Sequence, residues 1–364
     1  MRIKAAVSRT AGAPLEIEEL TLDAPRDQEV LVRLKATGIC HLDITLRDSA
    51  TLVPRPIVLG HEGAGVVEQV GQKVTQVAVG DPVVISFDSC GQCSNCREGV
   101  PAYCYNIGAR LFGGSRPDGS TSLSKNGRAI HSHFFGQSSF ATHAICTERN
   151  TVKVSMHLPL ELLGPLGCGI QTGAGAVLNA LRVSPGSSLA VFGAGSVGLA
   201  AVMAARIAGA AKITAVDVHE SRLELARSLG ATDTIKADAH DIGAKIVSGT
   251  TVGLNFAIDT TGDPAVVRLA VDCLAPRGVF GLISTAKSPE VTLNALRLLQ
   301  GGRMVRGIHQ GDSVPQKFIP QLINYYLEGR FPFDRLVTFY PFERINDAMH
   351  DAETGKTIKA VLRM

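Results

Sequence analysis

A doubly wound, parallel α/β sheet joined to a β-rich, barrel-like region is the fold class this sequence predicts. Three observations predict it. After Leu178, short apolar runs alternate with helical stretches, the order that builds a parallel sheet covered on both faces. Up to about residue 160, short alternating runs are punctuated by Pro and Gly, as in antiparallel β structure. At 364 residues the chain is long enough for two cores.

In the first part, residues 30–34 alternate, residues 65–70 form a second candidate strand, and Gly80-Asp81-Pro82 reads as a turn feeding a third over 83–85. Residues 108–135, rich in Gly, Ser and polar side chains, are expected to be a long surface loop. In the second part, residues 188–192 read as a strand, followed by Gly193-Ala194-Gly195-Ser196-Val197-Gly198 and an Ala-rich helix to about Ala208. Residues 213–217 are the next strand, 220–229 the next helix with Gly230 as its stop, then a strand at 256–259, a helix from Pro264 and a strand at 279–283. From about His309 the character is mixed again, and this stretch is expected to return to the N-terminal domain. The expected division is therefore 1–168 with 309–364, and 169–308.

Composition narrows the function. Apolar residues at 45% and charged residues at 19% are ordinary for a soluble globular protein. A net charge of +3 gives no reason to expect nucleic acid or a membrane surface as partner. The N-terminus carries charges within its short apolar stretch, and no run of about 18 apolar residues occurs, so a cytoplasmic protein is expected. There, the eight cysteines read as metal ligands or buried thiols, not disulfides. Cys146 and Cys273 read as core packing.

Gly193-x-Gly195-x-x-Gly198 gains weight from its context, because it follows a strand and opens a helix, and Asp217 stands about 20 residues on, at the end of the second strand. The first glycine permits the tight turn, the second lets backbone approach a pyrophosphate, and the third lets helix and strand pack closely. Ser196, Val197 and Gly198 begin the helix whose free N–H groups face the phosphates. This is the Rossmann fingerprint. Asp217 can accept from ribose hydroxyls and repel a 2′-phosphate, favouring NAD; helix capping is its plainer reading. Arg222 either flanks the ribose or is an exposed helical arginine.

Cys90-x2-Cys93-x2-Cys96-x7-Cys104 can close a tetrahedral thiolate shell around Zn²⁺. A ferredoxin-like cluster is the rival, but its last spacing is shorter and ends in Cys-Pro, whereas Cys104 precedes Tyr105. Structural zinc would hold an excursion with few apolar residues in one shape. By spacing alone, His61 reads as a satisfied histidine and Cys168 as core.

The chain resembles the zinc-dependent medium-chain alcohol dehydrogenases over essentially its full length. The likeness runs through Gly38-Ile39-Cys40-His41-x-Asp43, Gly60-His61-Glu62-Gly63-x-Gly65, the four-cysteine lobe, Gly167-Cys168-Gly169-x-x-Thr172-Gly173 and the fingerprint. The stretches 134–141, 317–320 and 358–362 bring it nearest to the bacterial aryl- and allylic-alcohol group acting on benzyl alcohol or geraniol. The resemblance implies a GroES-like catalytic domain beside the Rossmann domain, NAD as cofactor and two zinc ions per chain. It implies that Cys40, His61 and Cys168 bind a catalytic zinc, with Glu62 able to ligate it transiently and Asp43 fixing the His61 tautomer. His41 and Lys359 would meet the cofactor pyrophosphate, Thr172 would lie against the nicotinamide, and Phe87 would line the pocket for a small alcohol or aldehyde. A homodimer or homotetramer is the family expectation, with 303–306 as a candidate edge-strand contact.

One residue departs from the pattern. Where the family commonly carries a Ser or Thr that starts the proton relay, this chain has Leu42, which neither donates nor accepts a hydrogen bond. Water, Thr45 or His41 could substitute. The alternative enzyme reading is therefore a reductase of a conjugated C=C or C=N bond, and a reading of another class is a non-enzymatic NAD-binding protein.

Overall fold

The computed structural model describes residues 1–155, 157–284, 288 and 290–364. The chain separates into two compact units, one of residues 1–169, 314–321 and 334–364 and one of 170–313 and 322–333. By this clustering, residue 169 goes with the first unit and 309–313 and 322–333 go with the second, where the expected division had placed them the other way.

The first unit is built mainly from antiparallel strands, with one parallel pair of Val337–Pro341 and Lys359–Arg363. Glu29–Gly38 is its central strand, flanked by Gly63–Val70 and His143–Thr147, and Pro82–Ile85 pairs with Gly63–Val70 in turn. The alternation that marks residues 30–34 is weaker than the burial, which covers both faces of much of Glu29–Gly38. The C-terminal strand Lys359–Arg363 adds to the same sheet antiparallel to Glu29–Gly38, with Val361 opposite Gly38. That pairing carries Lys359 from the far end of the chain to the strand that leads into Cys40. A second sheet holds Arg2–Ser8 and Glu16–Leu22.

The stretch expected to be a loop over 108–135 is structured instead. It contains the helix Ile107–Phe112 and a hairpin of Leu123–Lys125 with Arg128–Ile130. The hairpin turn is Asn126-Gly127, and both residues have positive φ, 51° and 74°. Asn-Gly is the pair that a tight two-residue hairpin turn favours, because its left-handed backbone matches the strand twist. Polar composition hid that signal.

The second unit is a six-stranded, all-parallel sheet. Its order is Asp233–Lys236, Lys212–Asp217, Ser188–Phe192, Leu254–Asp259, Leu274–Leu282 and Met304–Gly307. The order runs outward in both directions from Ser188–Phe192, so a crevice opens at the carboxyl ends of the central strands. The helix Ser196–Ile207 buries Gly198 through Ala205 without a break, and small side chains let it lie close to the sheet. Glu220–Leu229 ends at Gly230, whose φ of 121° closes the helix in a conformation that suits glycine. Cys146 and Cys273 each sit in a hydrophobic core, one per unit. No helix among the described residues is long and apolar enough to cross a membrane.

Candidate active site and metal centres

Cys40 ends the turn after Glu29–Gly38 and precedes the helix His41–Asp48. Asp43 lies on the first turn of that helix and is fully buried. Its Oδ2 accepts from the Cys40 N–H at 3.0 Å, and its Oδ1 accepts from the Gly60 N–H at 3.1 Å and from His61 Nδ1 at 2.9 Å. A carboxylate cannot donate, so the Nδ1 hydrogen is assigned to His61 and the Nε2 lone pair is left available. Nε2 is buried and makes no hydrogen bond. It faces a cluster in which donor atoms of Cys40, His61, Glu62 and Cys168 all lie within 4.8 Å of one another.

The electrostatics of this cluster call for a cation. Hydrogen bonding from Cys168 holds the Cys40 thiol well below its ordinary value, and the same bond together with burial holds Cys168 well above it. Burial opposes charge on His61, yet Asp43 and Cys40 raise it to about 10. Two sulfurs, an orphaned imidazole nitrogen and a carboxylate in a largely buried cluster are a donor set that a divalent, thiophilic ion satisfies. The residues present fit zinc, with Cys40, His61 and Cys168 as ligands and Glu62 at hand.

Glu62 has a second partner. Lys359 Nζ donates to both carboxylate oxygens, at 2.9 and 3.0 Å, and to Ile39 O at 3.1 Å. Burial pushes the Glu62 carboxyl up, and Lys359 draws it back. Lys359 itself is only 2% exposed, with three acceptors for its three hydrogens. In this arrangement it balances a buried charge beside Cys40, His61 and Cys168. His41, by contrast, is exposed at the start of its helix.

The second cysteine set forms its own shell. Donor atoms of Cys90, Cys93, Cys96 and Cys104 lie within 4.8 Å of one another, and Cys90 Sγ is 3.9 Å from Cys96 Sγ. That separation excludes a disulfide, and matches the edge of about 3.8 Å of a tetrahedron with zinc–sulfur bonds of about 2.3 Å. Backbone N–H groups of Gln92 and Cys93 point at Cys90 Sγ and lower its thiol to about 6. The lobe fits a closed zinc site.

In the second unit, Gly193 has a φ of 92°, and a Cβ there would lie 2.3 Å from Thr260 Oγ1. A Cβ on Gly198 would lie 1.8 Å from Gly193 O, whereas one on Gly195 would meet nothing within 4 Å. Gly193 and Gly198 thus shape the loop, and Gly195 leaves its open side for a ligand. Asp217 ends Lys212–Asp217 and holds this loop: Oδ2 accepts from the Ala194 N–H at 2.6 Å and Oδ1 from the His219 N–H at 2.9 Å. Arg222 Nη1 is 4.0 Å from Asp217 Oδ2. Ser196 and Val197 open a 12-residue helix directed at the same loop. The cradle fits a dinucleotide. Thr172 lies, mostly buried, in the helix Gly169–Gly175.

Comparison with known proteins agrees with this geometry. Residues 26–156 match the family described as alcohol dehydrogenase GroES-like domain, and residues 196–326 match zinc-binding dehydrogenase. Geraniol dehydrogenase of Castellaniella defragrans is 46% identical over 99% of this chain and 97% of its own length. The chain belongs to the zinc-dependent medium-chain alcohol dehydrogenase family. A class-3 alcohol dehydrogenase of Myxine glutinosa is 36% identical over 99% of this chain and 97% of its own. Among solved structures, benzyl alcohol dehydrogenase of Acinetobacter calcoaceticus shares 46% identity at a TM-score of 0.97, covering 100% of this chain and 99% of that one. An alcohol dehydrogenase zinc-binding domain protein of Burkholderia ambifaria shares 52% at 0.98, with coverage of 100% and 99%. As a member of this family the protein is an oxidoreductase, an alcohol dehydrogenase.

Three residues of this dehydrogenase matter more at the site than their sequence suggests. The Phe135 ring stacks on His61 with centroids 4.3 Å apart, Phe134 meets the same imidazole edge-on at 5.3 Å, and Gln137 donates to His61 O at 2.9 Å. Phe87 is buried in the hydrophobic cluster that also contains Phe134 and Phe135, and half-buried Leu42 packs against that cluster. Thr45 Oγ1 donates to His41 O at 3.1 Å, so its hydroxyl is turned onto its own helix.

Proposed function

We propose that this alcohol dehydrogenase transfers a hydride between NAD(H) and a primary aryl or allylic alcohol/aldehyde pair. One zinc would sit at Cys40, His61 and Cys168, and another at Cys90, Cys93, Cys96 and Cys104. The observation that carries the reading is the unpartnered, buried His61 Nε2 aimed into a cluster with two sulfurs and a carboxylate. When bound, zinc polarises the substrate oxygen and NAD accepts the hydride.

The chain's own residues set the conditions. Asp43 keeps the proton on His61 Nδ1, and Lys359 offsets the burial that pushes the Glu62 carboxyl up, within the cluster that Glu62 shares with Cys40, His61 and Cys168. Each Asp217 oxygen accepts one backbone N–H and retains a lone pair for a ribose hydroxyl, while its charge opposes a 2′-phosphate. This supports NAD over NADP. Phe134 and Phe135 pack against His61, and Phe87 belongs to the same buried apolar cluster, so the surroundings of the site are apolar and aromatic, which suits an aromatic or allylic group. The likeness to geraniol and benzyl alcohol dehydrogenases points the same way. The proposed working form is a cytoplasmic homodimer or homotetramer, and the edge strand Met304–Gly307, exposed throughout, supports assembly.

Leu42 favours one competing reading, reduction of a conjugated double bond. A single assay separates the two. Purified enzyme with NAD and benzyl alcohol or geraniol should generate the NADH absorbance band, and metal analysis should count about two zincs per chain. Inert alcohols and aldehydes, combined with reduction of an enal at its double bond, would establish the reductase instead.

A further inference from the structure

We propose that the segment from His133 to Ser138 is a strained positioning element for the His61 ligand, with Gln137 clamping its peptide and Phe135 its ring. The inference rests on reading His61 as a zinc ligand.

The backbone is the first observation. Four of these six residues have positive φ: His133 at 61°, Phe135 at 53°, Gly136 at 73° and Ser138 at 54°. A phenylalanine in that region is an outlier, and such conformations persist where the surroundings over-determine them. Here the surroundings do. Gly136 N–H donates to His133 O at 2.7 Å and Gln137 N–H to Phe134 O at 3.0 Å. Phe134 N–H donates to Ser138 Oγ at 3.0 Å, Ser138 Oγ donates to Val58 O at 2.6 Å, and Asn150 Nδ2 donates to Gly136 O at 3.2 Å. All six residues are buried.

What the left-handed turns achieve is the second observation. They deliver three groups to one residue. The Phe135 ring lies on the imidazole face at an interplanar angle of 28°, and Phe134 stands against it at 87°. The Gln137 amide bridges the peptides on either side of Glu62: Oε1 accepts from the Gly63 N–H at 3.0 Å, and Nε2 donates to His61 O at 2.9 Å. The same Nε2 donates to Ser86 O at 3.1 Å, next to Phe87. Asp43 fixes only the Nδ1 edge of the imidazole, a single point about which the ring could tilt. Stacking on Phe135 fixes its plane, and the Gln137 clamp fixes the backbone from which it springs. Nε2 is thereby held in the cluster it shares with Cys40 and Cys168, and preorganised donors lower the cost of binding.

The experiment follows zinc release from the full-length holoenzyme to a chromophoric chelator, after zinc has been counted. The phase missing in His61→Ala identifies the His61 site, and the remaining phase reports the four-cysteine lobe. Gln137→Met keeps volume but removes the clamp; it should speed the His61 phase about 10-fold and leave the lobe phase unchanged. Phe135→Leu keeps an apolar side chain but loses the flat face, and should speed the same phase about 3- to 10-fold. Cobalt(II) in place of zinc should show an altered visible spectrum in both variants. If Gln137→Met does not fold, Phe135→Leu carries the test. An unchanged His61 phase, or equal acceleration of both phases, overturns the proposal. A wild-type enzyme that releases zinc in the lobe phase alone overturns the reading of His61 itself.

Discussion

Asp43→Asn is the sharpest probe of how this site is held. Three N–H groups, two of them buried and one partly buried, converge on two carboxylate oxygens: His61 Nδ1 and the Gly60 N–H on Oδ1, the Cys40 N–H on Oδ2. An asparagine has one acceptor oxygen. With that oxygen facing His61, the amide NH2 confronts the Cys40 N–H, donor against donor. With it reversed, the NH2 confronts Gly60 and forces the imidazole into the tautomer whose Nε2 cannot bind a metal. The first arrangement is cheaper, and it leaves the Cys40 N–H and the amide NH2 without acceptors, at about 1–3 kcal/mol for each such group that water cannot reach. The carboxylate's charge-assisted bond to His61 is lost as well, weakening the imidazole as a donor. Together these effects reduce affinity for the catalytic zinc by about 10- to 100-fold, the range expected when a ligand's supporting carboxylate is removed. Chelator competition at fixed pH measures it, with the four-cysteine zinc as internal reference. Catalytic zinc held as tightly in the variant as in the wild type would refute the tautomer argument.

Three further outcomes follow from particular contacts. Leu42→Thr introduces a hydroxyl two residues after Cys40 and should raise kcat for alcohol oxidation at neutral pH, by up to about 100-fold; an unchanged or lower kcat across a pH series would show that the proton leaves by another route. Asp217→Ala removes the charge opposing a 2′-phosphate and should shift the NAD/NADP preference in kcat/KM towards NADP by about 10-fold, so an unaltered ratio counts against the ribose role. Burial, with Arg116 nearby, pushes His133 down to about 4, so between pH 6.5 and 4 the unfolded chain binds a proton that the folded chain refuses. That contribution is fully present above pH 6.5 and falls by about 3 kcal/mol on acidification to pH 4. His133→Asn, which tolerates the left-handed backbone, should flatten stability against pH in that window when unfolding is measured in denaturant, and parallel wild-type and variant curves would contradict it.

The parts of this enzyme legible in its sequence are those whose physics is local. Short apolar runs, a glycine loop and Gly230 as a helix stop announce the parallel sheet because each constraint acts within one turn or strand. The four-cysteine lobe is legible for the same reason, since its ligands lie within 15 positions of one another in sequence, Cys90 to Cys104. Cys40, His61 and Cys168 have no such spacing, and they stood out only through family resemblance. What stayed hidden is long-range pairing of charge and unusual backbone. Nothing near Lys359 reveals that its partner is Glu62, 297 positions away, because the two meet only through the pairing of the strand Lys359–Arg363 with Glu29–Gly38. Phe135 and Gln137 were hidden differently. A phenylalanine with positive φ contradicts its own propensity, so no pattern rule selects it, and its conformation is bought by the contacts that surround it. Local conflict tolerated beside His61 is the signature of a site whose geometry outranks the preferences of the residues that build it.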